Sequence, residues 1–247
     1  MPVQEIFHDH SAEAIRSRLE AGSEASYLRD WIYGGIDGAV TTFAIVCGVV
    51  GANFSTSVIL VLGAANIVAD GFSMAASNYT GSKAENDEFD RIRAHEEEQI
   101  ERDRDGEIQE IREIYRSKGF EGDDLDRAVE IITSDKKLWV DTMLTEEYGL
   151  PMSERSPVKA AVGTFIAFML CGLVPLLPFL ISENIMSRVD ATWWSVILTG
   201  AVFFGIGSLK SRWSLVGWFR SGMETTIIGL AAALIAFAIG FGLKSFV

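Results

Sequence analysis

Cysteine and histidine are scarce, two and three residues in a chain of 247. Both cysteines, Cys47 and Cys171, lie inside apolar stretches, which excludes a secreted disulfide framework and makes them packing residues. No CxxC pair, HExxH helix or glycine-rich phosphate loop occurs, so the common signatures of thiol, zinc-hydrolase and nucleotide chemistry are missing. No basic stripe is present to meet a phosphate backbone, which excludes nucleic acid as a partner. Residues 1–30 are polar and lack the apolar core of a secretory leader, so no cleaved signal is expected.

What is there divides sharply. Apolar residues make up 49% of the chain, yet its net charge is −13. Roughly two thirds of the acids fall between Glu85 and Glu154, while the apolar residues form long uncharged blocks. A helix needs about 20 apolar residues to cross a bilayer, because unpaired backbone groups are too costly in lipid. Five blocks meet that length, at 31–52, 58–79, 158–181, 191–209 and 225–243, with a polar turn at 53–57. The fold class is therefore all-α, a polytopic membrane protein with five transmembrane helices and an acidic domain inserted between spans two and three.

Lys and Arg set the orientation. Arg16, Arg18, Arg29, Lys83, Arg91, Arg93, Arg155, Lys159, Lys210, Arg212 and Arg220 fall on one side if the spans alternate, against Arg188 and Lys244 on the other. The N-terminus and the insert are thus expected in the cytosol, and the C-terminus outside. Trp193, Trp194, Trp213 and Trp218 near span ends fit an interfacial belt. The expected organisation is a cytosolic segment at 1–30, spans one and two within 31–82, the acidic domain at 83–155, and spans three to five within 156–247.

The insert reads as three helices. Residues 82–104 contain neither proline nor glycine, so the second span continues as helix into the cytosol. Asp105 is the expected cap of a second helix ending near Gly119, with Ile108, Ile111, Ile114 and Tyr115 on its buried stripe. A third, capped by Asp123, buries Leu125, Val129, Ile132, Trp139 and Met143 and stops at residues 148–151. Among the acids, Glu96, Glu97, Glu98 and Glu101 cluster on the first helix, and Glu107 and Glu110 share a face of the second. On the third, Met143 stands one turn before Glu147. Carboxylates suit hard cations and a thioether adds affinity for ferrous iron. A solvated acidic face, and a core methionine, are the bland readings of the same residues.

Ionisable groups within the spans are costlier, at least ~2.5 kcal/mol each, and are usually functional. Asp37 lies in the first span with Thr41 one turn on. Asn66, Asp70, Met74 and Asn78 recur every fourth residue of the second and draw one polar stripe. Inter-helix hydrogen bonding is the alternative. Gly34, Gly35 and Gly38 allow close helix approach or an opened backbone, and Pro175 and Pro178 should bend the third span and free carbonyls toward a cavity. His8 and His10 flank Asp9 near a terminus and read as incidental, and Glu224 opens the fifth span without a decided role.

Residues 37–43 (DGAVTTF), 73–75 (SMA) and 172–178 (GLVPLLP), in this order around an acidic insert, resemble the vacuolar iron transporter family. That family includes yeast-type vacuolar carriers of iron and manganese and many bacterial members, and the compact chain reads as a bacterial-type one. The resemblance implies a five-span fold that forms a homodimer with the path near its axis. It implies a cytosolic domain collecting Fe(II) or similar ions, and export from the cytosol by proton antiport. Asp37 and Met74 match the in-membrane metal residues, and Glu96, Glu107, Glu110, Met143 and Glu147 match the ligands of the insert. Gln99 stands where that pattern has a glutamate, with Glu98 or Glu101 beside it as substitutes. Leu144 replaces a second methionine, and Asn66 a glutamate for which Asp70 could compensate.

The expectation is a non-enzymatic exporter of Fe2+, with Mn2+, Zn2+ and Co2+ as chemically acceptable cargo and no prosthetic group. Its partners would be metal ions, protons, lipid and a second copy. The membrane would be the inner membrane of a bacterium or the vacuolar membrane of a eukaryote. The rivals are a membrane-tethered di-iron oxidase and a metal sensor without transport. The oxidase expects Glu-x-x-His pairs, whereas His95 follows Ile92 at that spacing.

Overall fold

In the computed structural model, residues 9–21, 25–151 and 155–246 are described. Among them no strand occurs. The chain divides into two compact units, one of residues 27–82 and 156–247, the other of residues 1–26 and 83–155.

The first unit holds helix α2 (Leu28–Gly51), the apolar part of α3 (Thr56–Arg102), α7 (Pro157–Leu173), α8 (Leu177–Ile185), α9 (Arg188–Lys210) and α10 (Trp218–Leu243). With α7 and α8 counted as one span, five helices are long and apolar enough to cross a membrane. Their bounds lie within a few residues of the expected limits, except that α10 begins seven residues early; α3 runs on without a break for 47 residues, as the lack of proline and glycine over 82–104 leads one to expect. The turn before α3 passes through Asn53 at φ 62°, the left-handed region that asparagine tolerates. The core joins Phe43, Val46, Ile59, Phe179 and Phe203. Cys47 and Cys171 are free thiols packed against it.

Glycine sets how closely these helices approach. A Cβ on Gly38 would lie 2.4 Å from the Phe168 carbonyl oxygen, and one on Gly240 only 2.0 Å from that of Gly48. Backbone thus meets backbone between α2 and both α7 and α10, as small residues permit in lipid. Close approach, rather than an opened backbone, is the use of Gly38.

At Pro175 the span changes to a 3-10 turn over Val174–Leu176. The carbonyl that proline would orphan, on Cys171, accepts from the Val174 N–H, and the Pro175 carbonyl accepts from Ser195 Oγ at 2.8 Å. The expected free carbonyls toward a cavity are not found at these two positions, because both already have donors.

The second unit holds α1 (Ala12–Ala21), the polar end of α3, α4 (Arg104–Ser117), α5 (Gly122–Thr133) and α6 (Lys136–Glu146). Its core joins Ile100, Ile111, Val129, Trp139, Met143 and Leu144. Ile111, Trp139, Met143 and Leu144 are fully buried, each contributing roughly 2 kcal/mol of apolar transfer. The single third helix of the insert is two helices. Thr133 Oγ1 and Ser134 Oγ donate back to the Val129 and Ile131 carbonyls, and Asp135 accepts from the Leu138 N–H to begin α6. Such side-chain bonds compete with helix continuation and favour a fresh start. The cap of α4 is likewise Asp103, which accepts from Gly106 N, and Asp105 stands in the first turn. Glu121, without a side-chain cap bond, precedes α5, and Asp123 lies in that helix's first turn.

Candidate functional site

Chemistry-bearing side chains gather once in each unit. In the helical unit with the acidic core, Glu96 on α3 and Glu107 on α4 are 2% and 4% exposed. Tyr148 donates its hydroxyl to Glu96 Oε1 at 2.8 Å. The other oxygen, Oε2, has no hydrogen-bond partner, and neither has Oε2 of Glu107. Glu110, one turn along α4, and Glu147, at the end of α6, are exposed and lie at the rim.

Burial pushes the Glu107 carboxyl up to about 7, helped by repulsion from Glu110, Glu96, Glu147 and Asp103. Glu110 is raised by burial and by the charges of Glu96 and Asp103. Glu147 is raised by burial and by Glu110 and Glu96, with His95 pulling the other way. Four glutamates from α3, α4 and α6 therefore share one electrostatic neighbourhood with no Lys or Arg among the groups acting on Glu107. They do not form a closed cage: among the described residues no three His, Cys, Asp or Glu side chains are set as a coordination group. Like charges hold the rim acids apart, and a buried carboxylate without a counter-charge favours whichever proton or cation reaches it.

Two neighbouring acids of α3 have cation partners of their own. Glu98 pairs with Arg102 at 3.0 Å. Glu101 pairs with Lys136 at 2.6 Å, whose hydrogen bond and charge hold its carboxyl below the usual range. Neither is among the groups acting on Glu107. Gln99 itself is half-buried. Met143 is fully buried in the apolar core beside Leu144, one turn before Glu147.

In the apolar unit α2 and α3 share a polar seam. Thr41 Oγ1 donates to the Asp37 carbonyl at 2.8 Å and accepts from Asn66 Nδ2 at 3.1 Å. Asn66 Nδ2 also reaches Thr42 Oγ1 at 3.4 Å. Asn78 Nδ2 donates to Asp30 Oδ1 at 2.9 Å, to Thr164 Oγ1 at 2.7 Å and to the Ala160 carbonyl at 3.3 Å. Between these two rungs lie Asp37, Asp70 and Met74, all half-buried, with Asp37 and Asp70 near enough for their charges to interact. Glu224 is exposed on α10. Asp9 bonds Ser11, and His8 lies outside the described residues.

Residues 28–241 match the VIT family. The chain belongs to that family. It is 31% identical over 239 residues to vacuolar iron transporter 1 of Arabidopsis thaliana, covering 96% of this chain and 92% of that protein. It is 32% identical over 240 residues to vacuolar iron transporter 1 of Eucalyptus grandis, covering 95% of each. Against the vacuolar iron transporter of Plasmodium berghei the figures are 29% over 248 residues, 96% and 90%. These relatives are named as transporters, in line with the non-enzymatic expectation, and lend the bacterial reading no support. The family match spans both residue groups.

Two polar residues escaped the sequence reading. Asp30, 3% exposed, falls in the polar stretch 1–30 by sequence, although it stands seven residues before Asp37 on the same helix face and opposite the stripe that ends in Asn78. Tyr148 was read only as part of a helix stop. Nothing in its spacing points to Glu96, because their contact joins positions 52 apart.

Proposed function

We propose that this member of the VIT family carries divalent metal ions, iron(II) foremost and manganese(II) with it, out of the cytosol in exchange for protons. The names of its relatives support iron as cargo. The observation that carries the reading is the pair of buried glutamates, Glu96 and Glu107, each with a carboxylate oxygen lacking a partner and both repelled by neighbouring acids. Structural carboxylates are buried with a cation or donors for both oxygens. These two, with Glu110 and Glu147 at the rim, are instead suited to capture an arriving cation. Glu107, raised to about 7, holds a proton or gives it up near neutral pH, so ion and proton compete for one oxygen.

On this reading the acidic unit is cytosolic, Met143 adds its thioether beside Glu147, and Asp37, Asp70 and Met74 form the in-membrane station. Thr41 and Asn66 hold the backbone and side chains around it, and a second copy completes the path. Asp70 takes the proton-handling part that Asn66, an amide, cannot. Zn2+ and Co2+ fit the same donors. The test is uptake into proteoliposomes loaded with a metal-sensitive dye under an imposed pH gradient. Fe(II) and Mn(II) should enter, and Asp37→Ala should stop entry while ion binding by the acidic unit persists. Absence of gradient-driven entry by both ions, or full flux with Asp37 and Met74 both made alanine, removes the carrier reading. Oxygen consumption on adding Fe(II) to the full chain would instead support the oxidase.

A further inference from the structure

We propose that Tyr148 sets the ion selectivity of the acidic unit by disfavouring two-oxygen coordination through Glu96. The inference rests on reading that unit as an ion-collecting site. Glu96 has two carboxylate oxygens and hardly any contact with water. The Tyr148 hydroxyl occupies Oε1 at 2.8 Å, and Oε2 is left without a partner. One lone pair of Oε1 is thus taken by a protein donor, and both of those on Oε2 are open. The second buried acid, Glu107, also presents an unpartnered Oε2 within the same field of charge.

The chain holds Tyr148 in place from both sides. The Glu147 and Tyr148 N–H groups both donate to the Met143 carbonyl, at 2.9 and 3.4 Å. Gly149 follows at φ +65°, a conformation that reverses the chain and suits glycine. Leu150 then donates to the Leu144 carbonyl at 2.9 Å and packs on the apolar core. The phenol is therefore anchored by two backbone bonds before it and a packed residue after it. The phenol donates its proton to Glu96 Oε1 and so acts here as a hydrogen-bond donor. It is a positioning residue.

The selectivity follows from coordination chemistry. Calcium takes six to eight oxygens and commonly both oxygens of one carboxylate. Smaller first-row ions are satisfied by fewer donors, and a thioether suits the softer of them. Two-oxygen binding of calcium by Glu96 must share Oε1 with the Tyr148 proton, which weakens that oxygen as a ligand, whereas one-oxygen binding of manganese through Oε2 leaves Oε1 to the phenol.

Calorimetric titration of Mn(II) and of Ca(II) into the full, chelator-treated chain and its Tyr148→Phe variant tests this. Phenylalanine keeps the ring and removes only the donor. Calcium affinity should rise about tenfold in the variant while manganese affinity changes less than about threefold. Equal changes for both ions, the mark of a merely structural residue, overturn the proposal. On the unaltered chain, the infrared carboxylate bands that Mn(II) shifts should include a one-oxygen signature missing from Glu96→Gln. A two-oxygen signature there overturns it independently of how the phenylalanine variant folds. If the unaltered chain binds neither ion, the ion-collecting reading itself falls. If it binds both and Tyr148→Phe leaves their ratio unmoved, only the role of Tyr148 does.

Discussion

Replacing Glu107 with glutamine should make the ion-free protein more stable in alkaline solution. The side chain is buried and its carboxyl is raised to about 7 by desolvation and by four neighbouring acids, against an ordinary value near 4.5. Each unit of difference is worth about 1.4 kcal/mol, so ionising Glu107 in the fold costs up to about 3 kcal/mol. The sign is set by where the proton sits. Between pH 4.5 and 7 the folded chain retains a proton that the unfolded chain has released, so stability falls as pH rises through that window. Below it both states are protonated and nothing is lost. Glutamine matches the shape of the neutral acid and never ionises. At pH about 4 the two proteins should unfold together, and at pH about 8 the variant should melt higher by roughly 5 °C or more. Thermal unfolding in detergent with chelator, alongside hydrogen exchange over α4 and α6, reads the effect. Adding Mn(II) at the higher pH should reverse the order, since only the unaltered chain regains a counter-charge. A variant less stable than its parent at pH 8 without metal, or an equal pH slope in both, refutes the reasoning.

Glu98→Gln and Glu101→Gln should change ion affinity of the acidic unit by less than about twofold, because both acids are engaged with exposed cations; calorimetry settles it. Asn78→Ala removes the donor shared by Asp30, Thr164 and the Ala160 carbonyl and should cost about 2 kcal/mol, read as a lower thermal midpoint in detergent. Gly240→Ala drives a methyl group against the Gly48 carbonyl and should destabilise by about 1–3 kcal/mol, whereas Gly242→Ala, which meets open space, should not; paired thermal melts distinguish them.

Spans were legible because a bilayer-length apolar run needs no tertiary information to recognise. The stripe from Asn66 to Asn78 was legible for a similar reason: fourth-residue spacing fixes a face before any partner is known. Failures came where local and distant forces meet. The break at Ser134 and Asp135 depends on side chains bonding backward to carbonyls, and a charged helix pattern running through them hides it. Asp103 and Asp105 are equally good caps by type, and only the folded turn chooses. Asp30 looked like an ordinary flanking charge because burial, not identity, makes it unusual. Glu98 and Glu101 resemble Glu96 in sequence, but in the fold they are exposed beside Arg102 and Lys136 while Glu96 is buried against Tyr148.

The bend at Pro175 has one more implication. Its carbonyls at Cys171 and Pro175 each accept from a protein donor, the second of them reaching across from Ser195 on α9, so the elbow is held by bonds within and beyond its own span. The kink thereby braces α9 against the bent span through a side-chain bond as well as through apolar packing.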